Sequence, residues 1–309
     1  MEKDEHSENV AAVVGCPSET KLAGKANICQ GCPGRDLCLS GGGVDPDQEF
    51  IDVRMNAIKH KILILSGKGG VGKSSIATCL ATALANCGKK VGIADLDICG
   101  PSVPKMMGVE GQKVVNSDYG WVPLRSPNHD IKVMSVGTLL EDIDSAVVWR
   151  GPRKTALIKR FIKDTFWGRL DYLIFDTPPG TSDEHLSIIK ILTNARPDGA
   201  VIVTTPQEVA VATVRKEINF CKKMNLKVIG LIENMSSYCC PCCKESWPVF
   251  PTGRVDSLVS DLQIPVLGKI PLYSGITQSA ERGSNVLLDE PSCTSTELFF
   301  DIAKRITDM

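Results

Sequence analysis

Gly67-Lys68-Gly69-Gly70-Val71-Gly72-Lys73-Ser74 has the spacing G-x-x-x-x-G-K-[ST], and that spacing handles phosphate. Its glycines let backbone N–H groups turn inward around phosphate oxygens. Lys73 suits the β- and γ-phosphates of ATP, and the Ser74 hydroxyl suits Mg²⁺. With Ser75, these residues form the candidate nucleotide-binding run. A second lysine, Lys68, stands where the pattern admits any residue. Carboxylates follow at two places. Asp95 and Asp97 lie in "ADLDICGPS", and Asp176 ends "YLIFD". Asp176 fits a carboxylate that holds the hydration shell of Mg²⁺. Asp97 could orient or deprotonate an attacking water.

Thiols are the other reactive resource. The chain has 13 cysteines, a high number for a compartment that keeps thiols reduced, so clusters of them point to metal or redox chemistry. Cys16, Cys29, Cys32 and Cys38 provide four ligands in one short segment. Cys239, Cys240, Cys242 and Cys243 form two overlapping C-x-x-C pairs, and spacing does not choose between them. Two thiolates leave a four-ligand site incomplete, and a symmetric dimer would supply the rest. Four thiolates suit zinc as well as iron–sulfur. Cys79, Cys87, Cys221 and Cys293 lie in or beside helical patterns and read as small core hydrophobes. Cys99 has no ligand role assigned, and the histidines have no metal-type spacing.

Apolar strands and helices must position these groups. "KILILS", "KKVGIADLD", "IKVMSV", "DYLIFD", "GAVIVTT", "KVIGLIE" and "IPVLGKIP" read as strands. They alternate with helical stretches beginning at Lys73, Lys154, Val209, Ser274 and Ser295. Continuous apolar strands alternating with helices predict an α/β fold, a mainly parallel sheet with helices on both faces. The loops after the strands then share one edge, where ligands bind. Residues 1–50, with "LSGGGVDPD", show no sustained period and read as a flexible cysteine-rich arm and linker. Residues 51–309 read as the NTPase domain, with a cysteine-bearing loop at 235–250.

Composition narrows the partners. A formal net charge of -1 disfavours nucleic acid as a main partner. No apolar run is long enough to span a membrane. The C-terminal "ELFFDIAKRITDM" reads as a docking helix, not a stable membrane anchor. An acidic, polar start without a targeting pattern predicts the cytosol or nucleus.

"KGGVGKS", "DLDICGPS" and "DTPPGTSD" together resemble the deviant-Walker, signature-lysine P-loop NTPases, the class of nitrogenase iron protein and MinD. "WRGP" (149–152), "TTPQE" (204–208), "ENMS" (233–236) and the Cys-Pro-x-Cys that follows resemble the Mrp/Nbp branch. With the four-cysteine arm, the likeness extends to eukaryotic scaffolds of cytosolic iron–sulfur cluster assembly, over nearly all of residues 10–290. The resemblance implies that Lys68 reaches the nucleotide of a second subunit. It makes Lys68, Lys73, Asp97 and Asp176 the catalytic set, puts Asp97 and Asp183 in the two switch regions, and sets Asn234 against adenine. It assigns Cys240 and Cys243 to a 4Fe–4S cluster bridging a dimer, and Cys16, Cys29, Cys32 and Cys38 to one in each arm. The first spacer of that arm motif is one residue shorter than the family pattern. The implied activity is slow, Mg²⁺-dependent ATP hydrolysis coupled to cluster assembly and transfer to apoproteins. The implied partners are a homodimer mate or a shorter paralogous NTPase, apo iron–sulfur proteins and downstream assembly factors. A MinD-like positioning ATPase and a zinc-stapled regulatory ATPase are the competing readings.

Overall fold

The computed structural model describes residues 25–30, 35, 47–139, 151–181, 183–240, 242–243, 245–251 and 253–308. The chain divides into two units, Met1–Glu49 and Phe50–Met309. In the first, Asn27–Cys29 forms one 3-10 turn and Cys29 is buried. Cys16, Cys32 and Cys38 lie outside the described residues.

The larger unit is built on a nine-stranded sheet among the described residues. Helix α1 (Gln48–Asn56) leads into strand β1 (Ile58–Leu65). After β1 come α2 (Lys73–Asn86), β2 (Val91–Asp95) and the short α3 (Val103–Met106). A hairpin of β3 (Val115–Ser117) and β4 (Gly120–Val122) forms a separate two-stranded sheet, bridged to Thr165 through Trp121, ahead of β5 (Leu124–Arg125) and β6 (Lys132–Ser135). Next are α4 (Gly151–Asp164), β7 (Leu170–Asp176), α5 (Asp183–Leu192), β8 (Gly199–Thr204) and α6 (Glu208–Lys223). The chain then forms β9 (Val228–Cys239), β10 (Ser246–Pro248), α7 (Arg254–Leu262) and β11 (Val266–Leu272). Helices α8 (Ser274–Glu281), α9 (Val286–Asp289) and α10 (Thr294–Thr307) finish it.

Across the sheet the order is β5-β6-β2-β7-β1-β8-β9-β11, with β10 antiparallel to the far end of β9. From β6 to β11 the pairs are parallel, and β5 closes one edge antiparallel. The α/β expectation therefore holds. Alternation along β1 explains why the sheet is apolar on both faces. Ile62 and Ile64 enter one core with Ile93, Ile174 and Phe299. Leu63 and Leu65 enter the other with Phe175, Trp167 and Phe161.

Helix α2 is rich in Ala and Leu and ends where Gly88, at φ 76°, turns the chain into a left-handed cap. Cys87 sits at that cap and is exposed, which corrects its reading as a core residue. Cys79 and Cys221 are buried, as read. Helix α10 buries Phe299, Ile302, Ala303 and Ile306 against α2 and β11, so its apolar face is spent on packing. Among the described residues no helix is long and apolar enough to cross a membrane.

Candidate functional site

Paired registers bring the strand ends level. Asp176 on β7 lies opposite Ile64 on β1 and opposite Asp95 on β2. The glycine loop leaves β1 at this level. Gly70 and Gly72 take φ of 80° and 83°, conformations that disfavour any side chain. A Cβ on Gly72 would also lie 2.3 Å from Asn234 Nδ2. Asn234 donates that amide to the Val71 carbonyl at 2.9 Å, so β9 touches the loop directly. Gly67 is held as tightly by α6, because a Cβ there would lie 2.5 Å from Thr213 Oγ1.

Beneath the loop sits a buried charged cluster. Lys73 Nζ lies 2.5 Å from Asp176 Oδ1, and Ser74 Oγ donates to Asp176 Oδ2 at 2.6 Å. Asp176 and Asp95 are fully buried. Burial pushes the Asp176 carboxyl up, and Lys73 opposes that shift. Burial also raises Asp95, and the nearby Asp176 charge adds to it. Ser135 Oγ donates to Asp95 Oδ2 at 2.9 Å, and the Asp97 N–H donates to Asp95 Oδ1 at 3.1 Å. Asp97 is half-buried, and its Oδ1 accepts from the N–H groups of Cys99 and Gly100, each at 3.2 Å. Lys68, Gly69 and Gly70 are exposed at the mouth of the loop, and Ser75 is half-buried in the first turn of α2. The structure thus brings together Gly67–Ser75, Asp176 and Asn234, with Asp97 on the neighbouring loop.

Sequence reading passed over Lys154. Its Nζ donates to Glu184 Oε1 at 2.9 Å and to Cys99 Sγ at 3.4 Å, joining α4, α5 and the loop after β2. No motif spacing announces this contact, because the three residues are far apart in sequence.

The cysteine hairpin lies at the far end of β9. Trp247 on β10 stands opposite Tyr238, and the ladder continues through the Cys240 N–H to the Glu245 carbonyl at 2.9 Å. N–H groups of Cys243 and then Cys242 turn toward the Cys240 thiol and hold it below the usual thiol range. Cys239, Cys242 and Cys243 are exposed and Cys240 is half-buried. Among the described residues no three ligating side chains converge on one point.

A family model described as ParA, NUBPL iron-transfer P-loop NTPase, matches residues 57–307. The chain belongs to that family. Among solved structures, this iron-transfer NTPase is similar to a nucleotide-binding protein of Archaeoglobus fulgidus in complex with ADP. The identity is 37% and the TM-score 0.70, over 82% of this chain and 96% of that one. The septum site-determining protein MinD of Pyrococcus horikoshii, complexed with Mg-ADP, matches at 20% identity and TM-score 0.61, over 80% of this chain and 96% of that one. A chain of the MinC:MinD cell division protein complex of Aquifex aeolicus matches at 21% identity and TM-score 0.60, over 81% of this chain and 96% of that one. Likeness at that identity establishes the shared fold.

Proposed function

We propose that the chain is an ATP-binding and ATP-hydrolysing scaffold that assembles 4Fe–4S clusters and passes them to cytosolic or nuclear apoproteins. One observation carries the reading. Strand β9 touches the phosphate loop through Asn234 near its middle and runs on to Cys239, with Cys240 next in the chain, so one element links a nucleotide site to a thiol site.

Ser74 Oγ and Asp176 Oδ2 are hard oxygen donors 2.6 Å apart, a set that suits Mg²⁺. Ser74 would hold the ion with Asp176 on its water shell, and the ion would supply charge neutralisation on the β- and γ-phosphates. Lys73 and the loop N–H groups bind the same phosphates, and Asn234 is the candidate contact for adenine. Asp97 orients a water and takes its proton as the water oxygen bonds to the γ-phosphorus. The bond from that phosphorus to the bridging oxygen breaks, and ADP leaves. Lys68 is exposed and has no ion pair among the described residues, which leaves it able to serve a second chain.

The cluster is cargo. Cys240 and Cys243 supply two thiolates, and a homodimer mate or a shorter paralogous NTPase supplies two more. Low thiol pKa at Cys240 favours the thiolate that a metal requires. Cys16, Cys29, Cys32 and Cys38 hold a second cluster within the arm, residues 1–50, which precedes the NTPase domain of 51–309 in sequence. A positioning ATPase needs none of these thiols. Anaerobic purification is the test. The expected product is brown, absorbs at about 400 nm, and carries iron and sulfide. Colourless protein with stoichiometric zinc overturns the cluster reading in favour of a zinc-stapled ATPase.

A further inference from the structure

Lys154 stands in the first turn of α4, and its ammonium is shared between two other elements. One contact is Glu184 Oε1 at 2.9 Å, on α5, which follows the loop that leaves β7 after Asp176. The other is Cys99 Sγ at 3.4 Å, in the loop that leaves β2 after Asp95. The Cys99 N–H is also one of the two that hold the Asp97 carboxylate. Side-chain exposures of 19% for Lys154 and 16% for Glu184 shield the pair from solvent screening. The Glu184 hydrogen bond raises the Lys154 pKa, so the ammonium keeps its charge at neutral pH.

The fold does not require this contact. Helices α4 and α5 are already joined by Thr155 and Ser187, whose hydroxyls lie 3.0 Å apart. Ile158, Phe161, Ile162, Ile188 and Ile189 share the core between them and the sheet. What Lys154 adds is a tie from the loop after β2 to the first turn of α5, the helix that follows the β7 loop. We propose that Lys154 is a positioning residue for hydrolysis: it fixes the Asp97 loop against the segment that follows Asp176, without touching nucleotide. The inference rests on the ATPase reading above. Its physical basis is alignment. The attacking water must lie in line with the γ-phosphorus, and a misplacement of about 1 Å can cost about a hundredfold in rate. Asp97 is held through its own loop, so its aim depends on what holds Cys99.

The test compares the full-length protein with Lys154→Met, Lys154→Gln and Lys154→Arg, measuring Mg-ATP turnover and ATP binding. For Met and Gln the expected result is a kcat lowered about tenfold or more, with KM within about twofold of wild type. Arg reaches both partners with the same charge and should restore most of the rate. Glu184→Gln, which weakens the tie from its other end, should fall between. An unchanged kcat in either neutral variant overturns the inference and leaves the ATPase reading standing. So does a KM that rises in step with the fall in kcat, because Lys154 would then be a nucleotide contact. Should one neutral variant fail to fold, the other and Glu184→Gln decide. Wild-type protein that turns over no Mg-ATP removes both readings.

Discussion

Lys73 and Asp176 hold each other in a place that water does not reach, and each therefore matters twice. Lys73→Ala removes the cation proposed for the phosphates and leaves a buried carboxylate without its ammonium partner. Mg-ATP affinity should fall about a hundredfold or more, and stability by about 3 kcal/mol. Adding Asp176→Asn should recover the stability without the affinity, which calorimetry and urea melts separate. If affinity returns too, the phosphate assignment of Lys73 is wrong. Lys68→Ala should behave differently, binding nucleotide yet losing turnover, if exposed Lys68 serves a second chain as proposed. Mixing it with Asp97→Ala should restore some turnover in mixed dimers. Glu217 poses another residue-scale problem. It is fully buried, and neither carboxylate oxygen has a partner among the described residues. Burial pushes its pKa up from 4.5 to about 7. Between those values the folded chain keeps a proton that the unfolded chain has released, so stability falls as pH rises through the window. Glu217→Gln should stabilise the protein more at about pH 8 than at about pH 5, by about 2 kcal/mol. Equal gains at both pH values in urea titrations would refute an unpartnered acid.

Elements carry the loop as much as residues do. Gly67→Ala would drive a Cβ to 2.5 Å from Thr213 Oγ1 and 2.7 Å from Thr213 Cβ. Either α6 lifts or the phosphate loop shifts, and nucleotide affinity should drop at least about tenfold. The compensating change Thr213→Gly clears both atoms, at about 1 kcal/mol for glycine in a helix. It should return most of the affinity in an ATP-binding titration. This contact was not legible in the sequence, because Gly67 and Thr213 meet only through the crossover from β8. The strands were legible for a local reason. "KILILS", "YLIFD" and "GAVIVTT" are short runs with β-branched or aromatic residues, apolar on successive positions and flanked by turn signals, which fits a strand covered on both faces. Helix α5 escaped notice because it follows "TPPGTSD", whose proline and glycine read as a turn. Strand β9 was expected to end near Glu233 but continues to Cys239, since β10 and β11 supply partners that its polar "NMSSY" does not announce. The site was legible where one loop holds it and opaque where side chains meet across elements, as at Asn234 with Val71 and Lys154 with Cys99.

At the scale of the whole molecule, the proposed cargo sites predict a metal count. In full-length dimers reconstituted with iron and sulfide, Cys240→Ala with Cys243→Ala should remove about four irons per dimer, and Cys29→Ala about eight. Loss of about eight in the first variant would mean that each chain holds its own cluster at the hairpin, with Cys239 and Cys242 as ligands. The hairpin also constrains how two molecules can meet. Strand β10 has three exposed residues and ends at Pro248, which has no N–H to offer. Its outer rim pairs with no other strand among the described residues. A neighbour therefore finds almost no template for extending the sheet there. Two copies meeting at this end would be joined by thiolates and by side chains such as Tyr238 and Trp247, not by a zipped backbone. Such a joint opens once its metal leaves, and unloading then requires no strand to be peeled from its neighbour.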